Sequence, residues 1–215
     1  MRPILCSLAT LLALAPTAHA DDTFEAAAAG ATKITSLEDL VWGVVAACDS
    51  ADDVEARQCR HLRDAKLAGL AGKTLALDVG AFTVSEWSSA RKSAESTLSG
   101  CIACDGVFID GKRYSVVATE PHVEGGKVDA KPIMQSARPY AKLAQRDALA
   151  ALAKQSRVEL VVRLPAQPKW ELAGKAGITL EVVAYRVSVP CDGTVLLARP
   201  PSAKGPVDPK TCPKK

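Results

Sequence analysis

Six cysteines and an amino-terminal leader constrain this chain more than any other feature of its sequence. Residues 1–20 begin with Arg2, continue as an apolar run and end in Ala18-His19-Ala20, a pattern typical of a secretory signal peptide. The apolar run is too short to cross a bilayer. We therefore expect an exported protein, in the periplasm, at the cell surface or in the medium. An even number of cysteines in such a chain predicts disulfide bonds. The six that follow residue 20 are Cys48, Cys59, Cys101, Cys104, Cys191 and Cys212.

The spacing of the cysteines favours one bridge directly. Cys48 follows a predicted helix and Cys59 lies two turns into the next, so an antiparallel helix pair brings them together. Six cysteines allow 15 pairings, and the sequence alone does not choose among them. Because Cys104 and Cys191 each open a Cys-Asp-Gly turn, we interpret them as equivalent structural anchors, with Cys101 and Cys212 as their separate partners.

Hydrophobic periodicity predicts an α+β fold with an N-terminal helix pair and small antiparallel sheets. Thr35 and Glu38 form a capping-box pattern before the first helix, and Asp52 is the expected N-cap of a second helix near residues 53–70. Asp110-Gly111 is a typical hairpin turn. The other predicted elements are a strand at 74–79, an alanine-rich helix at 139–155 and strands at 158–164, 178–189 and 195–198.

An internal overlay predicts two structurally related halves. At an offset of 83 residues, Trp87 falls on Trp170, and a gap of four then places Cys104 on Cys191. A competing overlay matches residues 67–75 to 172–180. The predicted organisation is a signal peptide (1–20), a mobile leader (21–34), a first α+β half (35–120), a connecting segment (121–137), a second α+β half (138–199) and a Pro/Lys-rich tail (200–215).

The charge balance argues against a role in nucleic-acid binding. Removal of residues 1–20 takes away one of 27 basic residues and none of the 24 acidic ones, which leaves a formal charge of +2. Nucleic-acid binding requires a concentrated basic face. No later segment has the apolar length of a membrane helix, so no transmembrane segment is expected after signal cleavage.

The Cys101-x-x-Cys104 spacing has two interpretations. A thiol–disulfide oxidoreductase would use these residues as a redox pair, with the first cysteine at a helix N-terminus. The following residues, 105–109, instead favour a turn and a strand, so a structural disulfide is favoured. No cofactor or metal is expected. Glu120, His122 and Glu124 would share one face of an extended chain, but Pro121 and the Gly pair that follows favour a solvated loop.

Trp87 and Trp170 are the candidate contacts to a ligand or partner, because both lie in polar or Pro-flanked connections of a chain with few aromatic residues. The serine-rich segment at 85–100 is expected to be an exposed loop or short helix, and it offers an inhibitor alternative in which this loop enters a partner. The predicted function is an exported, disulfide-stabilised, non-catalytic binding or envelope-associated protein, whose partner is a protein or an envelope component. The alternatives are the oxidoreductase and the secreted inhibitor.

Overall fold

The computed structural model describes residues 23–139, 142–190 and 193–202. The predicted signal peptide, Cys191, Cys212 and residues 203–215 of the predicted tail lie outside the described residues. The helices described are α1 (Phe24–Ala29), α2 (Leu37–Val45), α3 (Asp53–Leu70) and α4 (Leu143–Ala153). None of these helices is long and apolar enough to cross a membrane.

Strands form most of the described secondary structure, in four small sheets. The five-stranded sheet has the order β1 (Thr32–Lys33), β2 (Leu75–Leu77), β10 (Arg157–Arg163), β13 (Glu181–Val189) and β14 (Thr194–Arg199). The four-stranded sheet has the order β11 (Lys169–Leu172), β12 (Lys175–Thr179), β6 (Lys112–Val117) and β5 (Cys101–Ile109). A three-stranded sheet contains β3 (Phe82–Val84), β4 (Ser93–Leu98) and β9 (Met134–Pro139), and a hairpin contains β7 (Pro121–Glu124) and β8 (Lys127–Ala130).

The architecture is mixed α+β, mainly strands, as the periodicity predicts. Most strand pairs are antiparallel, while β1–β2 and β6–β12 are parallel. Both larger sheets combine strands from the two predicted halves, because β2 pairs with β10 and β6 pairs with β12. The two predicted halves therefore share both larger sheets. The predicted connecting segment, residues 121–137, contains the β7–β8 hairpin and the start of β9, which pairs with β4.

The predicted mobile leader is ordered over residues 23–34. Phe24 is buried against Val161 and Ala184 on one face of the five-stranded sheet, and β1 pairs with β2. Arg186 ties this segment down further, because its guanidinium stacks on the Phe24 ring and pairs with Glu25. The prediction of mobility rested on the alanine content of this segment and gave too little weight to Phe24.

The helix pair forms at the predicted place. Asp52 caps α3 by accepting hydrogen bonds from the backbone N–H groups of Val54 and Glu55. Ser36 caps α2 instead of the expected Thr35. Cys48 and Cys59 form a disulfide, and closing a loop of this length stabilises the fold by about 3 kcal/mol in the chain-entropy model. The disulfide helps to hold α3 against the rest of the fold, because Ala56 is the only buried residue of that helix.

The main core joins α2 to the inner faces of the sheets. Fully buried side chains come from five elements: Leu40, Leu75, Leu98, Leu160 and Ile178. The serine-rich segment at 85–100, expected to be an exposed loop or helix, contributes β4 to this core. Ala94, Ser96 and Leu98 alternate inward between β3 and β9. The positions of β4 that point away from the core are polar, so the sequence of this half-buried strand resembles that of an exposed loop.

Candidate functional site

Two hairpin turns lie side by side at one end of the four-stranded sheet. Asp110 (φ 47°) and Gly111 (φ 78°) join β5 to β6, and Ala173 (φ 47°) and Gly174 (φ 74°) join β11 to β12. Positive φ at both central residues is the geometry that twisted antiparallel strands need in a tight turn. Because β6 runs parallel to β12, the two turns emerge at the same end of the sheet.

Four side chains form a transverse line across the outer face of the sheet beside these turns. Phe108 is the cross-strand partner of Arg113, and Leu172 is the partner of Lys175. The parallel register pairs Tyr114 with Ala176, so the preceding residues Arg113 and Lys175 are level with each other. We call Phe108, Arg113, Lys175 and Leu172 the cross-strand row. It places two cations in the middle and an apolar side chain at each edge.

The apolar members of the row are open to solvent. Phe108 is 63% exposed and Leu172 is 44% exposed. Ile178 and Val116, which face the opposite side of the same sheet, are completely buried. At the end beside the turns, the sheet therefore presents a mixed apolar and cationic surface on its outer face, while Ser115 and Val117, further along that face, are buried.

A small cavity lies next to the row. Its volume is about 320 Å³, and its polar and charged lining residues are Cys104, Asp105, Arg113, Ser115, Lys127 and Lys175. Lys127 comes from the β7–β8 hairpin, so three hairpins contribute to the cavity wall. Cations outnumber carboxylates by three to one in this lining.

The salt bridges among the described residues leave out the cations of the cavity. Within the described residues, Arg113, Lys127 and Lys175 form no salt bridge. Arg113 donates a hydrogen bond to the backbone oxygen of Asp105, at 3.1 Å. Like charges on directly adjacent strands repel each other, so Arg113 and Lys175 would gain from an anion between them.

Trp170 lies one row further from the turns, on the same outer face. Its cross-strand partner is Gly177, and any Cβ at that position would collide with the Trp170 ring and with the backbone oxygen of Ser115. The indole therefore packs closely against the backbone of β12 at Gly177 and is only partly exposed. Its Nε1 is buried and has no acceptor among the described residues.

The Cys101–Cys104 disulfide lies within β5, and Cys104 borders the cavity. The β5–β6 register shifts twice between Cys101 and Val107, and Ser115 Oγ donates to the Cys104 backbone oxygen at 2.8 Å. The disulfide and this hydrogen bond together fix an irregular edge strand. The chain continues from Cys104 as a strand, so the pair lacks the following helix whose N-terminus lowers the pKa of a catalytic thiol.

Comparison with known proteins gives no match. No protein-family model, no curated protein and no solved structure is similar to this chain at a significant level. The function must therefore be inferred from the surface itself.

Two larger clefts border α3, and in each of them the cation that α3 contributes is already paired. A cleft of about 790 Å³ contains Arg63, which binds Asp64 at 2.9 Å and the Ala46 carbonyl at 3.2 Å. A second, of about 640 Å³, contains Lys66, which binds Asp39 at 2.5 Å. The hydrogen bond from Lys66 lowers the pKa of Asp39. Each cleft contains one charged side chain without a salt bridge among the described residues, whereas the cavity beside the cross-strand row brings together three such cations.

Of the residues singled out from the sequence, Trp170 and Cys104 lie at this surface. The other candidate contact, Trp87, lies elsewhere, in the β3–β4 connection, and its Nε1 is also buried. Phe108 and Leu172 were not among the predicted contacts. The alternation Val107-Phe108-Ile109 before a hairpin turn was the available signal, since it sends Phe108 to the opposite face from its neighbours.

The segment with Glu120, His122 and Glu124, expected to be a solvated loop, forms strand β7 over Pro121–Glu124. His122 and Glu124 are exposed on β7, and Glu120 pairs with Lys131, whose hydrogen bond lowers the pKa of that carboxyl. Among the described residues, no group of three or more His, Cys, Asp or Glu side chains could hold a metal ion.

Proposed function

We propose that this protein is an exported, disulfide-stabilised, non-catalytic binding protein that associates with the cell envelope through the cross-strand row. The observation that carries the proposal is the row itself: two cations that form no salt bridge with any described residue, flanked by two exposed apolar side chains on one sheet face. Exposed apolar side chains are common singly, but a set that borders unpaired charge is typical of an interaction surface.

Two further features support this proposal. The disulfides Cys48–Cys59 and Cys101–Cys104 are typical of proteins that fold in an oxidising compartment, which agrees with the leader at residues 1–20. The row and its cavity are open to solvent, whereas catalysis commonly depends on groups whose reactivity is tuned in a water-excluded site. The surface is better suited to holding a partner than to activating one.

Fractionation of cells that express the full chain tests the proposal. We expect a mature protein that begins at Asp21 and is recovered with the envelope. The double variant Phe108→Ser, Leu172→Ser is expected to move to the soluble extracytoplasmic fraction. A matched control, Val54→Ser with Leu143→Ser, removes two equally exposed apolar side chains from helices α3 and α4 and should stay with the envelope. Retention of residues 1–20, or equal partition of both double variants, would refute the proposal.

A thiol–disulfide oxidoreductase is the second candidate, because Cys104 lines a cavity with three cations that would stabilise its thiolate. In that reaction the thiolate of a dithiol substrate attacks the Cys101–Cys104 bond, and the second substrate thiol resolves the mixed disulfide. Two protein thiols and one substrate disulfide result.

An insulin-reduction assay with dithiothreitol distinguishes the two candidates. Since Cys104 is followed by a strand and not by a helix, we expect the protein to accelerate the reaction no more than the variant Cys101→Ser, Cys104→Ser does. An acceleration that this variant loses would instead establish the redox function.

A further inference from the structure

We propose that the cross-strand row docks on an anionic phospholipid surface, with a headgroup phosphate in the cavity beside Arg113, Lys127 and Lys175. The inference rests on the proposed function and names the partner of that surface. Three properties of the row support a lipid surface: where its apolar side chains protrude, how its cations are arranged and where its carboxylates lie.

The apolar side chains protrude beside the two turns. Phe108 lies two residues before Asp110, and Leu172 directly precedes the Ala173-Gly174 turn. They stand at opposite edges of the sheet, on strands β5 and β11. Two apolar side chains held apart on rigid hairpins can enter the boundary between headgroups and acyl chains together, as interfacial anchors do.

The cations lie between these anchors. Arg113 is the direct neighbour of Phe108, and Lys175 is the direct neighbour of Leu172. If both anchors enter the interface, the two cations are held at headgroup level, where their long aliphatic stems extend along apolar surface. The guanidinium of Arg113 suits a phosphate because it offers several donors in one plane.

Among the described residues, one carboxylate lines the cavity, that of Asp105, against three cations. Asp110, Glu124 and Glu171 are also exposed at this end of the sheet and do not line the cavity. The lining is therefore cationic within a surface of mixed charge. We therefore expect one phosphate to bind in the cavity. We do not expect this end of the sheet to bind anionic surfaces as a uniformly basic patch would.

A soluble anion would need only part of this surface. Inorganic phosphate could bind the cations of the cavity, but it would gain nothing from Phe108 or Leu172. A phospholipid surface uses both the apolar and the cationic members of the row. The dependence of binding on the two apolar residues therefore separates a lipid surface from a free phosphate.

Vesicle sedimentation with the full mature chain tests this inference. We expect binding to phosphatidylglycerol vesicles and little binding to phosphatidylcholine vesicles at about 0.15 M salt. Phe108→Ser with Leu172→Ser should weaken binding more than about tenfold, and Arg113→Gln with Lys175→Gln about 30-fold. The apolar control is Val54→Ser with Leu143→Ser. The charge control is Arg60→Gln with Lys154→Gln, which removes the same charge elsewhere. Both controls should bind as the unchanged protein does.

Three outcomes would overturn the inference: no binding to phosphatidylglycerol, binding that survives both row variants, or equal losses in the controls. Phosphate binding by calorimetry without vesicle binding would identify a soluble anion site instead. Envelope association without vesicle binding would refute docking on a phospholipid surface, and the proposed function would remain. Vesicle binding by a protein that never reaches the envelope would refute the function and leave the lipid surface standing.

Discussion

Replacement of Gly177 by alanine is expected to lower the free energy of unfolding by about 3 kcal/mol. A Cβ at this position would overlap the backbone oxygen of Ser115 on β6 and the ring of Trp170 on β11. The Trp170 side chain can rotate away, but the Ser115 carbonyl belongs to a paired strand and cannot. Relief therefore requires β6 and β12 to separate, and that parallel pairing joins the two hairpins of the site.

Denaturant unfolding measures this effect, and Gly30→Ala is a matched control. Gly30 has a negative φ of −88° and open space around its Cα, so an added methyl group should be tolerated. The alanine at position 177 should also displace the indole and shift the Trp170 fluorescence. If Gly177→Ala unfolds at the same denaturant concentration as the unchanged protein, the described packing of β11 on β12 is wrong.

Replacement of Arg186 by leucine is the second substitution with a large expected effect. Arg186 binds Glu159 through two hydrogen bonds of 2.7 and 3.0 Å and Glu25 through a third of 2.9 Å. The guanidinium also stacks on Phe24, 4.5 Å from the ring centroid. The hydrogen bond to Glu159 raises the pKa of Arg186 above its already high value, so this charge is present throughout the accessible pH range.

Loss of this cation leaves two half-buried carboxylates, those of Glu25 and Glu159, beside each other without the positive charge that they share. Removal of one member of a fully buried pair costs 3–5 kcal/mol, and these carboxylates keep about a third of their exposure. We therefore expect a loss of about 3 kcal/mol in unfolding free energy. Protease cleavage near α1 should rise in parallel, because Arg186 ties α1 to the sheet.

Arg163→Leu is the control for this substitution. Arg163 binds Glu181 with the same two-bond geometry, at 2.8 and 2.7 Å, but both side chains are at least half exposed. Solvent screens exposed pairs strongly, so this change should have a much smaller effect. Equal destabilisation by the two leucine variants would contradict the role given to Arg186.

Local signals in the sequence predicted the elements better than their partners. Asp52 marked the start of α3, and Asp110-Gly111 marked the β5–β6 hairpin, because caps and tight turns depend on residues close in sequence. The docking of α1 depends on Phe24 meeting Val161 and Ala184, far along the chain. No local sequence pattern predicts such a contact, and for this reason the segment was expected to be mobile.

Only parts of the candidate site could be predicted from the sequence. The alternation around Phe108 shows that it faces away from Val107, but it does not show which face meets solvent. The pairing of β6 with β12 decides that question, and the two strands lie about 60 residues apart. The same pairing brings Arg113 beside Lys175, so the cross-strand row exists only once the sheet is assembled.

Amide hydrogen exchange of the full mature chain, with and without phosphatidylglycerol vesicles, tests the central claim most directly. If the cross-strand row is the binding surface, exchange should slow at residues 108–113, 124–128 and 172–175. The start of α4, where Leu143 is also exposed, should not change. Unchanged exchange at all three segments, or protection confined to the clefts beside α3, would contradict the account.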